Sequence, residues 1–174
     1  NDEYFKRKAI FSDEDDQLFS DNDERAIFFA KGVVETVKKL NWAPDIIHVH
    51  GWMASLLPLY IKEYYSEEPL FSESKIVTSV YDKDFEGSLN TDLAEKIKFD
   101  KISDEKINIL KEPNYTNIIK SAVSNSDAIV KGSKQIPEEI DEEITKNDIP
   151  VLSFQEEDSF ESYLNFYEEL ISEE

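Results

Sequence analysis

The stretch Pro44-Asp45-Ile46-Ile47-His48-Val49-His50-Gly51-Trp52-Met53 decides how this chain folds. It holds both histidines and one of the two tryptophans of the 174-residue sequence. A short apolar run that ends at a glycine predicts a buried β-strand, a turn and the start of a helix. In parallel α/β folds, ligands bind at the edge where such strands end. The candidate site is therefore expected around His50, Gly51 and Trp52.

Strands and helices are predicted to alternate on both sides of this stretch. Helical spacing of apolar residues predicts helices at about 22–40, 53–65, 92–98, 104–111, 115–125, 135–146 and 160–171. Runs typical of buried strands occur at 45–50, 75–81, 127–131 and 150–154. Such alternation favours a Rossmann-like α/β fold, a parallel sheet with helices on both faces. We expect residues 1–174 to form a single domain.

Local patterns give more specific expectations for two helices and one turn. Asp21 and Glu24 stand three residues apart before the first long helix, as in a capping box. Trp42 precedes Pro44 and is expected to pack at the turn. Core-facing positions are expected at Ala26, Phe29, Ala30, Val33, Val37 and Leu40 in the first helix, and at Leu56, Leu57, Tyr60, Ile61 and Tyr64 in the second.

Charge and composition exclude several classes of function. The chain has 39 acidic and 19 basic residues, a formal net charge of −20. Nucleic acids and anionic membranes bind clustered Lys and Arg, so neither is an expected partner. With no cysteine and two histidines, we expect no disulfide, metal site or cofactor. No signal-peptide pattern and no membrane-spanning apolar run occur, so a cytoplasmic location is expected.

Several segments, in the same order, resemble those of bacterial glycogen synthases and plant starch synthases. Residues 48–53 (HVHGWM) resemble the family's H-x-H-D-W-H, and residues 4–7 (YFKR) and 21–29 (DNDERAIFF) resemble Y-F-x-R and D-N-x-x-R-F. Residues 79–87 stand where the family has T-I-H-N-L-x-Y-Q-G. Residues 127–140 run in register with D-x-I-T-T-V-S-P-x-Y-A-x-E-I, with Ser133 at the serine. The resemblance covers about residues 1–140 and implies the amino-terminal half of a GT-B glycosyltransferase, whose family moves glucose from ADP-glucose onto a 1,4-linked glucan.

This chain departs from the family pattern at the reacting centre. Gly51 stands in place of an aspartate, Met53 in place of a histidine, and Tyr81 and Asp82 in place of the His-Asn pair. Glucosyl transfer needs polar groups that hold the sugar and stabilise the leaving phosphate, and losing several of them together removes most catalysis. The resemblance therefore implies no catalytic residue here and an isolated domain without activity.

The same positions are candidates for glucan contact. Trp52 offers a flat apolar face for a sugar ring, although core packing is the simpler expectation, and Arg25 is alternatively an ion-pair partner of nearby acids. The glucan-binding candidates are His50, Gly51, Trp52, Tyr81, Asp82 and Arg25.

Three functions remain open at this point. In the first, the chain is a glycogen-synthase-like domain that needs a partner domain for activity. In the second, it is a non-catalytic glucan-binding or regulatory module. In the third, it is an acidic protein-interaction domain. A glucan or maltooligosaccharide is the expected ligand, and ADP-glucose is expected to bind poorly because the acidic surface repels it. The family's upstream strands and second domain lie outside this sequence. If the native protein lacks those strands, the sheet has an unpaired edge, and a homodimer or a partner domain is then the expected partner.

Overall fold

The computed structural model describes residues 2–156 and 160–172. The strands are β1 Ile46–His50, β2 Lys75–Val80, β3 Ala128–Lys131 and β4 Val151–Leu152. The helices are α1 Asp2–Phe5, α2 Asn22–Leu40, α3 Leu57–Leu59, α4 Leu93–Lys98, α5 Asp104–Ile107, α6 Tyr115–Val123, α7 Glu138–Asn147 and α8 Phe160–Ser172. Short 3-10 turns lie at Trp52–Ala54, Pro69–Phe71 and Asn108–Lys111, and a π turn at Tyr60–Tyr64. Among the residues described, no helix combines the length and apolar character needed to cross a bilayer.

All four strands pair in parallel, in the order β1-β2-β3-β4. Right-handed connections between neighbouring strands place their helices on one face of the sheet. α3, α6 and α7 therefore lie over one face, where the larger core forms. On the other face Val77, Ala128 and Val130 pack against Phe166 and Leu170 of α8. The predicted Rossmann-like sheet with helices on both faces is confirmed, and among the described residues α8 is the helix that covers the second face.

Helix α2 is confirmed, and its predicted core face is correct at Ala26, Ala30, Val33 and Val37 but not at Phe29 and Leu40. The small residues Ala26 and Ala30 are buried, whereas Phe29 is 37% exposed and Leu40 is 67% exposed. Small side chains let α2 approach the turn after β1 closely, and large ones at the same positions would hold it away. The prediction that Phe29 and Leu40 face the core is therefore wrong. Trp42, expected to pack at the turn, is 58% exposed.

The predicted capping box at the start of α2 is also wrong. The Asp21 side chain makes no capping hydrogen bond and instead accepts two hydrogen bonds from the guanidinium of Arg7. Glu24 accepts hydrogen bonds from the Tyr4 hydroxyl at 2.9 Å and from Lys96 Nζ at 2.8 Å. Charge-assisted hydrogen bonds are strong, so Glu24 holds α1 and α4 against α2, and Asp21 holds the residues just after α1.

The segment after β1 is less regular than the predicted helix at 53–65. Pro58 has no N–H to donate, so no continuous α-helix forms through it. A 3-10 turn, α3 and a π turn follow one another instead. The wider π turn leaves Tyr60 fully buried and Tyr64 43% exposed, so the prediction that Tyr64 faces the core is wrong.

Candidate functional site

The candidate site lies at the edge where the parallel strands end. Gly51, Tyr81 and Gly132 directly follow β1, β2 and β3. The Tyr81 ring covers Gly132 so closely that a Cβ there would lie 2.3 Å from the ring. The Tyr81 hydroxyl is hydrogen-bonded to Nδ1 of His50 at 2.8 Å, and the backbone N–H of residue 82 donates to Ser133 Oγ at 3.2 Å. The structure thus brings His50, Gly51, Tyr81 and Asp82 together.

The backbone at Gly51 has a conformation that other residues rarely adopt. Its φ is 72° and its ψ is 159°, a combination that is essentially restricted to glycine. No atom would lie within 4 Å of an added Cβ, so the backbone conformation and not the space is limiting. The Gly51 carbonyl accepts hydrogen bonds from the Ala54 N–H and the Ser55 hydroxyl. Gly51 therefore starts the turn that carries Trp52 under the strand edge.

An aromatic pocket, defined by the base residues Phe11, Trp52 and Phe85 and the polar residues around them, opens beside this edge. Trp52 is 3% exposed, and its ring centroid lies 5.0 Å from that of Phe11 and 5.1 Å from that of Phe85. The cavity has a volume of about 390 Å³, a size typical of small-molecule sites. Its other lining residues are Ser12, Asp16, Leu18, Lys83, Asp84 and Glu86. Trp52 is thus core-packed and at the same time forms part of the pocket base.

The rim of the aromatic pocket is acidic. The described rim residues include three carboxylates, Asp16, Asp84 and Glu86, and one cation, Lys83. The Lys83 Nζ lies 2.5 Å from a Glu86 carboxylate oxygen. Partial desolvation and the neighbouring Asp82 carboxylate raise the pKa of Asp84. Such a rim repels anions and offers acceptors to neutral hydroxyl groups.

His48 lies beneath α8, on the same face of the sheet as His50, because side chains two residues apart in a strand point the same way. Its Nδ1 is 2.5 Å from the Tyr167 hydroxyl and its Nε2 is 2.8 Å from Ser79 Oγ. Its ring centroid is 4.0 Å from that of His50. Burial, together with His50, lowers the pKa of His48 to about 4, and burial lowers the pKa of His50 as well. Both rings are therefore neutral at neutral pH, and His48 attaches α8 to the sheet.

Arg25 does not join the other candidates at the strand edge. It is 2% exposed, and its guanidinium donates to Asn22 Oδ1 at 2.6 Å and lies over the rings of Phe5 and Phe19. Burial lowers its pKa. Asn22 in turn donates to the Phe11 carbonyl at 2.8 Å. Arg25 thus supports the segment that places Phe11 in the aromatic pocket.

The comparison with known proteins identifies the family. Residues 1–150 match the starch synthase catalytic domain. The chain belongs to that family. It is 35% identical over 145 residues to the glycogen synthase of Chlorobium luteolum, 33% over 141 residues to that of Chlorobium limicola and 30% over 137 residues to that of Clostridium perfringens. These alignments cover 79–80% of this chain but 27–28% of each relative, so the chain spans little more than a quarter of the glycogen synthases that it matches.

Segments by which this starch synthase domain resembles its family contact one another in the fold. Arg7, from the Y-F-x-R-like segment, pairs with Asp21 of the D-N-x-x-R-F-like segment. Tyr81 covers Gly132, and Ser133 accepts from the backbone of Asp82, which joins the last two segments. Four stretches that are distant in the sequence therefore form two adjoining pairs.

Several lining residues of the aromatic pocket were not predicted from the sequence. Lys83, Asp84 and Glu86 lie in the polar run directly after β2, within a segment that resembles the family, so that run was an available signal. Phe11 reaches Trp52 from about forty residues upstream, and no spacing rule links the two positions. Across residues 2–156 and 160–172, no three His, Asp or Glu side chains are grouped as a metal site would require.

Proposed function

We propose that this starch synthase domain binds a neutral 1,4-linked glucan in the aromatic pocket and does not transfer glucose by itself. The observation that carries the proposal is the combination of an aromatic base and a polar rim in one cavity at the strand edge. Phe11, which is 38% exposed, provides the flat apolar area that matches the C–H face of a sugar, and the buried rings of Trp52 and Phe85 support it. Carboxylates around it accept hydrogen bonds from sugar hydroxyls. The cytoplasm is the proposed compartment.

The charge of the pocket favours a neutral glucan over ADP-glucose. A diphosphate needs cations or helix N-termini directed at it. Among the described residues that line the pocket, the one cation is Lys83, which is paired with Glu86. The other charged lining residues are Asp16 and Asp84. Binding of ADP-glucose, as implied by the glycogen synthase relatives, would therefore need groups from a partner domain.

The groups at the strand edge support the proposed lack of transfer. His50 is hydrogen-bonded to Tyr81 and neutral at neutral pH, so it supplies no positive charge for a leaving phosphate. Gly51 has no side chain, and Arg25 is buried among aromatic rings. A domain built in this way holds an acceptor glucan and leaves the nucleotide sugar to another domain.

Calorimetric titration with maltoheptaose tests the binding half of the proposal. We expect saturable binding to the wild type and an affinity about fivefold lower in Asp84→Ala, since one net hydrogen bond contributes about 1 kcal/mol. Asp92→Ala, an exposed acid outside the pocket lining, is the matched control and should bind as the wild type does. No binding to the wild type, or equal binding to Asp84→Ala, contradicts the proposed site.

Incubation with ADP-glucose and glycogen tests the other half. The isolated domain is expected to release no ADP above the blank. Turnover by this chain alone would contradict the proposed lack of transfer while leaving the binding result intact.

A further inference from the structure

Helix α8 is attached to the sheet by a small set of contacts. It lies beyond residues 1–150, which match the starch synthase catalytic domain. Its buried side chains are Phe166 and Leu170, which pack on the second face of the sheet. Among the described residues, one hydrogen bond joins a side chain of α8 to the sheet, between the Tyr167 hydroxyl and Nδ1 of His48. Elements with few buried contacts open locally while the rest of a fold persists, so α8 is expected to detach before the domain unfolds.

The hydrogen bond of Tyr167 leads towards the strand edge. His48 and His50 point to the same face of β1, and their ring centroids are 4.0 Å apart. His50 in turn holds the Tyr81 hydroxyl through Nδ1 at 2.8 Å. A neutral imidazole has one donor and one acceptor nitrogen, and His48 uses both, on Tyr167 and on Ser79. Loss of Tyr167 would leave Nδ1 of His48 without its partner and would loosen the ring against which His50 stacks.

Tyr81 stands at the start of one wall of the aromatic pocket. It directly precedes the run 82–86, which supplies four lining residues, Lys83, Asp84, Phe85 and Glu86. The Tyr81 carbonyl accepts a hydrogen bond from the Tyr115 hydroxyl at 3.2 Å, and the Tyr115 ring meets the Phe85 ring edge-on, with centroids 5.7 Å apart. The Tyr81 side chain is fixed by His50 at its hydroxyl and by its close fit over residue 132. Its backbone then continues directly into the wall.

A continuous set of contacts therefore joins α8 to the glucan site. We propose that α8 is a regulatory strap, and that its docking through Tyr167 and glucan binding in the aromatic pocket stabilise each other. The inference rests on the proposed glucan site and adds a means of regulating it. A docked α8 holds Tyr81 and the pocket wall in place before the ligand arrives, which lowers the cost of ordering them on binding. Coupling between two sites is reciprocal, so glucan must strengthen the docking of α8 by the same factor.

Hydrogen exchange followed by mass spectrometry tests the strap without any ligand. Tyr167→Phe keeps the ring and removes one hydrogen bond, so the α8 amides should exchange about fivefold faster than in the wild type, while those of β2 and β3 keep their rates. Tyr163→Phe is the matched control. Tyr163 lies on the same helix and packs on the same face, but its hydroxyl makes no hydrogen bond to any described residue. Wild-type exchange of α8 in Tyr167→Phe, or equally fast exchange in both variants, would overturn the proposal.

The histidine rings test whether the effect reaches the strand edge. The chain has two histidines, so each gives its own ring signals by NMR. Tyr167→Phe should shift the signals of His48 and also those of His50, to which Tyr167 has no hydrogen bond. Tyr163→Phe should leave both close to their wild-type positions, and circular dichroism should show both variants folded. A shift confined to His48 would overturn the connection to Tyr81.

Saturating maltoheptaose tests the coupling in the unmodified protein. It should slow the exchange of the wild-type α8 amides by up to about fivefold, and Tyr167→Phe should bind maltoheptaose more weakly by the same factor in calorimetry. A wild type that binds maltoheptaose while α8 exchange stays constant would overturn this inference and leave the glucan site intact. A wild type that binds no maltoheptaose would contradict the glucan site itself, and the coupling with it.

Discussion

Restoring the family's aspartate in Gly51→Asp should destabilise the domain without creating activity. An added Cβ meets no atom within 4 Å, so the cost comes from the backbone, where φ is 72° and ψ is 159°. Holding a non-glycine residue in that region costs about 1–3 kcal/mol. The smaller conformational entropy of the unfolded variant offsets about 0.4–1 kcal/mol. The free energy of unfolding should therefore fall by about 1–2 kcal/mol, which for a domain of this size lowers Tm by about 3–6 °C.

Urea unfolding followed by circular dichroism measures this change. The midpoint should fall while the m-value stays constant, because the folded and unfolded surfaces are unchanged. Gly51→Ala should lose the same stability as Gly51→Asp, since the backbone and not the carboxylate is responsible. Gly32→Ala, inside α2 with nothing within 4 Å of its Cβ, should instead gain about 0.5–1 kcal/mol. A Gly51→Asp variant as stable as the wild type, or one that turns over ADP-glucose, would refute the reasoning.

Three further changes have defined outcomes. Gly132→Ala would place a Cβ 2.3 Å from the Tyr81 ring and would displace that ring. The Tyr81 hydroxyl would then lose its hydrogen bond to His50, which should cost about 1 kcal/mol of unfolding free energy. A double-mutant unfolding cycle should show that this cost vanishes in a Tyr81→Ala background. The pKa of His48 falls from 6.5 to about 4 on folding, so its contribution to stability, at most about 3 kcal/mol, is complete above pH 6.5 and is lost as the pH falls towards 4. His48→Asn should flatten this part of the stability–pH curve, and an unchanged slope would exclude His48 as its source. Lys96→Met should cost about 3 kcal/mol in urea unfolding, because it leaves the fully buried Asp23 carboxylate without its cation. A variant as stable as the wild type would contradict a stabilising role for this ion pair.

The order of the elements and the position of the site could be predicted from local pattern. Apolar runs that end at glycine mark β1 and β3 because the chain turns sharply there, and helical spacing marks α2, α6 and α8. Parallel pairing then places residues 51, 81 and 132 at one edge whatever their side chains are. These features depend on short stretches of sequence, which a single chain displays directly.

The inner face of α2 and the composition of the pocket depend on contacts between distant segments. Helical periodicity predicted that both Phe29 and Ala30 face the core. Because α2 lies close to the turn after β1, only the small side chain of Ala30 is fully buried there, and Phe29 is partly exposed. The position of Phe11 on Trp52 depends on the hydrogen bond from Asn22 to its carbonyl, which no pattern in the sequence indicates. The π turn at Tyr60–Tyr64, in which Tyr64 is exposed, likewise has no marker in the sequence.

Glucan binding at the aromatic pocket is tested most directly through Trp52 itself. In a Trp42→Phe variant, Trp52 is the only tryptophan, so its emission reports the pocket alone. Titration with maltoheptaose should change the emission of Trp52 saturably, and Asp84→Ala should shift the midpoint about fivefold to higher ligand concentration. An emission that stays constant throughout the titration, from a folded protein, would contradict the binding of glucan in this pocket.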